Sequence, residues 1–329
     1  MKYKTVCFSP MTPQMTQLFL SVDPVLQNLD LKFVPSGSPE DEAIEAIRDA
    51  EILLGDYTHR TKINRRMIES ALDLKFIQQI AVGIEIIDIE AARERGIPVA
   101  NIAGFNSIGL GEHAMMLILS LLKKTPSMHT ETSRCNWLQV QVVGQGSAWE
   151  LSSRILGIVG MGNSGTELAK RARAFTPSIL YHKRNRLSAA EEASLGVKYA
   201  SFDELLRKSD VISIHLPLTD ETRGMFGRET IAKMKKNAIL INVARGEIVD
   251  AQALADAIKE GRLAGAGIDV FYPEPIKPDN PLIGLPNVIL TPHIAGATAE
   301  CAQRGIIYLG QNVARYLKGE RPINIVNGL

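Results

Sequence analysis

Short apolar runs, many of them β-branched, alternate along this chain with stretches whose apolar residues recur at helical spacing. In the first third the runs are TVCF, LKFV, EILL, KFIQQI and IPVAN, which read as strands. Between them, PEDEAIEAIRDA and INRRMIESALD gather their apolar residues on one face and read as helices. Such alternation predicts a parallel sheet covered by helices on both faces. A long apolar helix is expected over residues 107–124. From about 125 to 150 no period is legible, and this stretch, with Trp137 and Trp149, reads as an arm across a partner subunit or as a surface loop.

The alternation then resumes. RILGIVG, SILYH, DVISIHL, AILINVA, GAGIDVF and NVILTPH read as the strands of a second sheet. Ser201-Phe202-Asp203-Glu204 has the form of a capping box. Asp250 is suited to cap a helix running through Ile258, and Gly261 to stop it. A last amphipathic helix is expected over 298–317, and neither a low-complexity linker nor a solenoid repeat is present. Two α/β domains are therefore expected to abut, with a cleft of the kind that binds ligands.

Composition narrows the choice of chemistry. With 329 residues there is room for two cores, and a net charge of +1 gives no bulk electrostatic case for nucleic acid or an anionic membrane. No apolar run approaches a membrane span, and the N-terminal MKYKTVCFSP lacks the apolar core of a signal peptide. Cys7, Cys135 and Cys301 are odd in number and scattered, which fits a reduced cytoplasm. No histidine pair has metal-ligand spacing, so no metal is expected.

The first chemical signal is LGIVGMGNSG, where Gly160-x-Gly162-x-x-Gly165 follows a strand and opens a helix. Gly160 suits a tight turn, Gly162 close approach of a pyrophosphate, and Gly165 close helix–strand packing, with the helix amides facing the phosphates. Taken alone the motif is a weak signal, and a βα turn without a ligand is its alternative reading.

Four further segments follow in order: DVISIHLPLTDETRGMF (210–226), INVARGEIVD (241–250), GIDVFYPEP (267–275) and TPHIAG (291–296). Together with the glycine loop, with LKFIQQIAVGIEIIDIEAARERGIPVAN (74–101) and with the closing NVARYLKGERPINIVN, they resemble the D-isomer-specific 2-hydroxyacid dehydrogenase family, of glyoxylate/hydroxypyruvate reductase type. The resemblance spans nearly the whole chain. It implies a flavodoxin-like substrate domain built from 1–104 and 299–329, and an inserted Rossmann nucleotide-binding domain over 105–298. It further implies a cytoplasmic homodimer that moves a hydride between NAD or NADP and a small 2-oxoacid or 2-hydroxyacid.

That chemistry needs a guanidinium, a titrating imidazole and a group that tunes the imidazole. Arg245, just after AILINVA, offers a fork that grips carboxylate and carbonyl. His293 in TPH is the family's acid/base, and Glu274, between Pro273 and Pro275, is its carboxylate partner. Cofactor contacts are implied for Gly160, Met161, Gly162, Asn163, Ser164, Gly165, His215, Pro217, Thr222, Val243, Ala244, His293 and Ala295, and for Asp269 near the nicotinamide. Asp269 reads otherwise as a loop cap. On the substrate side, Val82 and Gly83 match the family's carboxylate-binding loop, although Glu85 and Ile86 stand where the family has Asp and Asn. Arg60 reads as a contact for a substrate phosphate or as a solvated arginine. Asn106, Glu112 and His113 are explained by helix packing as readily as by chemistry.

The stretch ILYHKRNR (179–186) decides the nucleotide. NAD-binding folds place a carboxylate here for the ribose hydroxyls. This chain has none between Tyr181 and Arg186, and offers His182, Lys183, Arg184 and Arg186 instead. Cations suit a 2′-phosphate, so NADP is expected to be preferred, with Arg184 as its main contact and Lys183 and His182 assisting. Two other functions fit the same fold: oxidation of a phosphorylated 2-hydroxyacid such as 3-phosphoglycerate, and dinucleotide sensing by a regulatory protein. Arg245, Glu274 and His293 together favour turnover over sensing, and formate-oxidising relatives generally carry Gln where this chain has Glu274.

Overall fold

The computed structural model describes residues 2–329. Contacts divide the chain into two compact units, one formed by the residues up to Asn106 with Ala299–Leu329, the other by Ser107–Thr298.

In the first unit, strands β1 (Tyr3–Cys7), β2 (Leu29–Phe33), β3 (Ile52–Leu54), β4 (Phe76–Gln78) and β5 (Val99–Ala100) form one parallel sheet in the order β2-β1-β3-β4-β5. That is the flavodoxin-like order. Every residue of β3 and β4 is buried, which is why these strands read as continuous apolar runs rather than alternating ones. One core lies under Ala43, Ile47, Met67 and Ile68. The other lies under Phe19 and the long C-terminal helix Ala299–Leu317, through Ile306, Leu309 and Val313.

In the second unit, β6 (Leu156–Val159), β7 (Ile179–His182), β8 (Lys198–Tyr199), β9 (Val211–Ile214), β10 (Ala238–Asn242), β11 (Leu263–Ile268) and β12 (Val288–Leu290) are all parallel, in the order β12-β11-β10-β9-β6-β7-β8. The order reverses between β6 and β9, the topological switch point at which open α/β sheets bind ligands. Helix Ser107–Leu122 packs on helix Asn163–Ala172, and Gly111 permits it: a Cβ there would lie 2.9 Å from the backbone of Glu167.

Two local expectations change. Residues 125–150 are not irregular but hold helices Thr125–Ser133 and Gln139–Gln145. Neither buries a residue, so no apolar stripe marks them in the sequence. The box at Ser201 forms by half: its side chain accepts the Glu204 amide, while the Glu204 carboxylate turns to Lys208 at 2.6 Å. A complete capping box stands instead at Ser188 and Glu191. Asp250 caps helix Ala251–Lys259 as expected, accepting the amides of Gln252 and Ala253, and Gly261 follows with φ +67°.

Candidate active site

The glycine loop after β6 has the shape its sequence requires. Gly160 adopts φ +100°, and a Cβ there would meet the His215 carbonyl oxygen at 2.4 Å. A Cβ on Gly165 would lie 2.2 Å from the Gly160 oxygen, so only glycine lets the helix start this close to the strand. Gly162, by contrast, has open space where its side chain would be, and no side chain caps the helix that begins at Asn163. The helix's first amides, from Asn163, Ser164 and Gly165, therefore remain as donors beside an open cradle. Met161 is buried in the core below.

His215 serves this loop from beneath. Its imidazole bonds Ser213 Oγ at 2.9 Å and Ser164 Oγ at 3.1 Å, and burial pushes its pKa down to about 3. It is a neutral brace for Ser164, with both ring nitrogens used. Thr222 is likewise committed: its hydroxyl donates to the Pro217 carbonyl at 2.7 Å and accepts the Thr219 amide at 2.8 Å, closing the loop after β9.

At the end of β7 the cations separate into two groups. Arg186 is bound by Glu192 through two bonds, 2.8 and 2.9 Å, and its guanidinium lies 5.3 Å from the Tyr199 ring. Those bonds, with one from the Tyr181 hydroxyl, hold the Glu192 carboxyl down to about 2. Arg186 is thus a structural cation. Arg184 is exposed, Lys183 and His182 are half-buried, and His182 bonds the Ala200 carbonyl through Nδ1 at 3.1 Å. The charge of Arg184 reaches Glu221 in the loop after β9.

Arg245 follows β10, and buried Asn242 shapes its turn. The Asn242 side chain donates to the Arg245 carbonyl at 2.9 Å and accepts the Ala244 amide at 3.0 Å. Val243 and Ala244 are buried within that turn, and the Arg245 guanidinium donates to the Ala244 carbonyl at 2.8 Å. Gly246 then lies against Phe271, where a Cβ would sit 2.1 Å from the carbonyl carbon. Phe271 in turn donates its amide to Glu274 Oε1 at 2.9 Å. The guanidinium's turn and the carboxylate's loop are therefore in direct backbone contact.

Glu274 Oε2 receives His293 Nδ1 at 2.8 Å. Burial raises the Glu274 carboxyl, but the bonds from His293 and the Phe271 amide, with the charges of His293 and Arg245, outweigh it and hold it below its usual value. Both proline bonds flanking the residue are cis. His293 is held at φ +54°, and its amide donates to the Asp269 carbonyl at 2.7 Å. Asp269 is fully buried, and its carboxylate accepts Thr291 Oγ1 at 2.5 Å, the Ile294 amide at 2.9 Å and the Ala295 amide at 2.9 Å. It anchors the loop that aims His293, the cap role. His113, which the sequence leaves to packing, joins the anchor through Thr291 Oγ1 at 3.0 Å, while Glu112 pairs with Arg171 at 3.0 Å.

The first unit carries Arg60, Val82 and Gly83. Asp56 is buried and accepts Ser36 Oγ, Thr58 Oγ1 and the amides of Thr58 and Thr61, which hold its carboxyl below its usual value against burial. It thereby fixes the loop on which Arg60 stands exposed. In the turn after β4, the Val82 carbonyl accepts Asn101 Nδ2 at 2.7 Å and the Gly83 carbonyl accepts Gln79 Nε2 at 3.1 Å. Among the described residues, neither the Val82 nor the Gly83 amide has a protein acceptor. With their carbonyls engaged and their amides unbonded, the two residues offer the donors that an anion nest requires.

Residues 115–295 match the D-isomer specific 2-hydroxyacid dehydrogenase, NAD binding domain model. The chain belongs to this dehydrogenase family. It is 40% identical over 300 residues to the glyoxylate reductase of Thermococcus litoralis, covering 89% of this chain and 88% of that one. It is 38% identical over 305 residues to the D-3-phosphoglycerate dehydrogenase of Methanocaldococcus jannaschii, covering 92% of this chain but 56% of that longer one. Among solved structures, the D-lactate dehydrogenase of Aquifex aeolicus complexed with NAD and lactic acid superposes with a TM-score of 0.82 at 30% identity, over 96% of each chain. As a 2-hydroxyacid dehydrogenase, the protein is a nicotinamide-dependent oxidoreductase that interconverts a 2-hydroxyacid and a 2-oxoacid.

The dehydrogenase fits its dinucleotide through the open cradle at Gly162 and the helix amides beside it. Its supporting residues Asn242, Gly246 and Thr291 lie within the segments INVARGEIVD and TPHIAG, but the sequence reading gives none of them a role. Asn242 leaves a trace there, as the polar end of the apolar run AILIN.

Proposed function

We propose that this dehydrogenase reduces small 2-oxoacids of glyoxylate/hydroxypyruvate type and prefers NADPH. The carrying observation is the 2.8 Å bond between His293 and Glu274, with the charge of Arg245 felt at the same carboxylate. The unit 107–298 is read as the nucleotide-binding domain and the other as the substrate domain. When bound, the nicotinamide supplies the hydride for reduction. The protein's residues do the rest. The amides of Val82 and Gly83 receive the substrate carboxylate, and Arg245 grips carboxylate and keto oxygen with its fork. His293 donates Nδ1–H to Glu274, which leaves Nε2–H of the imidazolium for the oxygen that becomes the hydroxyl.

The pairing sets a pH dependence. Glu274 is held below the usual carboxylate range, so it stays ionised wherever the imidazolium is needed. The bond and charge of His293 that hold Glu274 down act reciprocally on the ring, and in Glu274→Gln that charge is gone. The alkaline decline of the reduction rate should therefore move to lower pH, read from kcat/KM between about pH 5 and 10. A profile superposable on wild type would remove Glu274 from this role.

NADPH preference is supported by His182, Lys183 and Arg184, with no carboxylate between Tyr181 and Arg186. Arg186 is left out of the phosphate site because Glu192 holds it. A second reading, oxidation of a phosphorylated 2-hydroxyacid, rests on Arg60, which Asp56 presents on a fixed loop. Activity with 3-phosphoglycerate separates the two.

We also propose a cytoplasmic homodimer. No helix among the described residues is long and apolar enough to cross a membrane. Ile108 and Met116 on the long helix are 41% and 44% exposed, and Trp137, Val140 and Val143 are 74%, 78% and 76% exposed. Burial of these side chains across a two-fold axis is what a dimer would supply. Light scattering should give about twice 36.0 kDa, and Trp137→Glu with Val140→Glu should shift it toward the single mass. A 36.0 kDa particle in wild type would refute the dimer.

A further inference from the structure

The turn that follows β4 is closed by one side chain. Gln79 is fully buried, and its carboxamide spans the turn. Oε1 accepts the Ile80 amide at 3.2 Å, at the start of the turn. Nε2 donates to the Gly83 carbonyl at 3.1 Å, at its end, and to the Asp56 carbonyl at 3.4 Å. The same group thus ties the anion nest to the loop that carries Arg60. Space for it comes from Gly55, where a Cβ would lie 2.0 Å from Gln79 Oε1 and 3.1 Å from its carboxamide carbon.

The residue type follows from these partners. The position requires an acceptor for one amide and a donor for two carbonyls. Glutamate has no donor and would place a negative charge behind an anion site. Leucine fills the space but leaves the Gly83 carbonyl and the Ile80 amide without partners. The rest of the turn is held by Ile102, whose amide donates to the Ala81 carbonyl at 3.3 Å, and by Asn101 at Val82. All three carbonyls of 81–83 are therefore held by hydrogen bonds, and among the described residues Gln79 holds the last.

We propose that Gln79 is the positioning residue of the carboxylate-binding turn: by bridging Ile80 and Gly83 it aims the Val82 and Gly83 amides at the substrate carboxylate. Gly55 is its necessary complement. This inference rests on the reading of the turn as the substrate's anion site. Gln79 touches no reacting atom, so its loss acts on binding of the 2-oxoacid more than on the chemical step.

The test compares wild type, Gln79→Leu and Gly55→Ala, using glyoxylate as substrate, oxamate as an unreactive 2-oxoacid analogue and NADPH as cofactor. Gly55→Ala displaces the carboxamide without altering Gln79 itself, and decides the matter if Gln79→Leu does not fold. In both variants KM for glyoxylate and Ki for oxamate should rise about tenfold, the size expected when a hydrogen bond to a charged group is weakened. kcat should fall less than about threefold, and NADPH affinity should not change. A folded variant with wild-type KM and Ki overturns the proposal, as does a lowered melting temperature with unchanged kinetics, which would make Gln79 structural only. If wild type reduces no 2-oxoacid, the substrate reading itself fails and the proposal falls with it. If wild type turns over and the variants bind glyoxylate normally, only the role of Gln79 fails.

Discussion

His293→Ala should lower kcat for 2-oxoacid reduction by roughly 10²–10⁴-fold, the usual worth of a positioned general acid. The loop should survive the change, because its shape does not depend on the imidazole. Asp269 holds it through Thr291 and the amides of Ile294 and Ala295, and the His293 backbone bonds the Asp269 carbonyl. What disappears is the ring that Glu274 orients through Nδ1. Dinucleotide affinity, measured by quenching of protein fluorescence, should stay within about twofold of wild type, since the neighbours that shape the cradle at Gly160–Gly165 do not include the ring. A variant with wild-type kcat would show that another group delivers the proton.

Arg245→Lys should be nearly as damaging, with kcat/KM down by about 10²-fold or more. Lysine keeps the charge but not the planar fork, so carboxylate and keto oxygen are no longer held in one orientation. The turn itself is fixed by Asn242 through the backbone of Ala244 and Arg245, which the substitution leaves in place. The loss should therefore lie in chemistry and substrate binding, with no change in NADPH affinity. Retained kcat/KM would show that Arg245 is not the clamp.

Much of this site is legible in the amino-acid sequence. Strands buried on both faces announce themselves as apolar runs, and β3, β4, β9 and β10 are of that kind. Gly160, Arg245, Glu274 and His293 sit at strand ends where ligands meet parallel sheets, and each belongs to a segment of distinctive composition. The helices over 125–145 are illegible because they bury nothing, and β8 because it is a two-residue edge strand.

A second class of residue escapes for another reason. Gly246 matters because Phe271 lies against it, and Gly55 because Gln79 does. These contacts join residues some 20 positions apart or more, and no local pattern encodes them. Charge is equally ambiguous until partners are seen. Arg184 and Arg186 look alike in sequence, yet Arg186 is spent on Glu192 and Arg184 is exposed. His215 and Asp269, expected at the cofactor from their motifs, also brace loops of the second unit, which their motifs do not reveal.

Whether the protein is a 2-oxoacid reductase whose positive β7 end selects NADPH is decided by wild-type kcat/KM for glyoxylate, with NADPH and with NADH at the same pH and ionic strength. Turnover is expected with both, with at least a tenfold preference for NADPH, roughly the scale of one charge-assisted bond to a phosphate. Equal or greater efficiency with NADH would contradict the role given to His182, Lys183 and Arg184, and no turnover with either would contradict the substrate assignment.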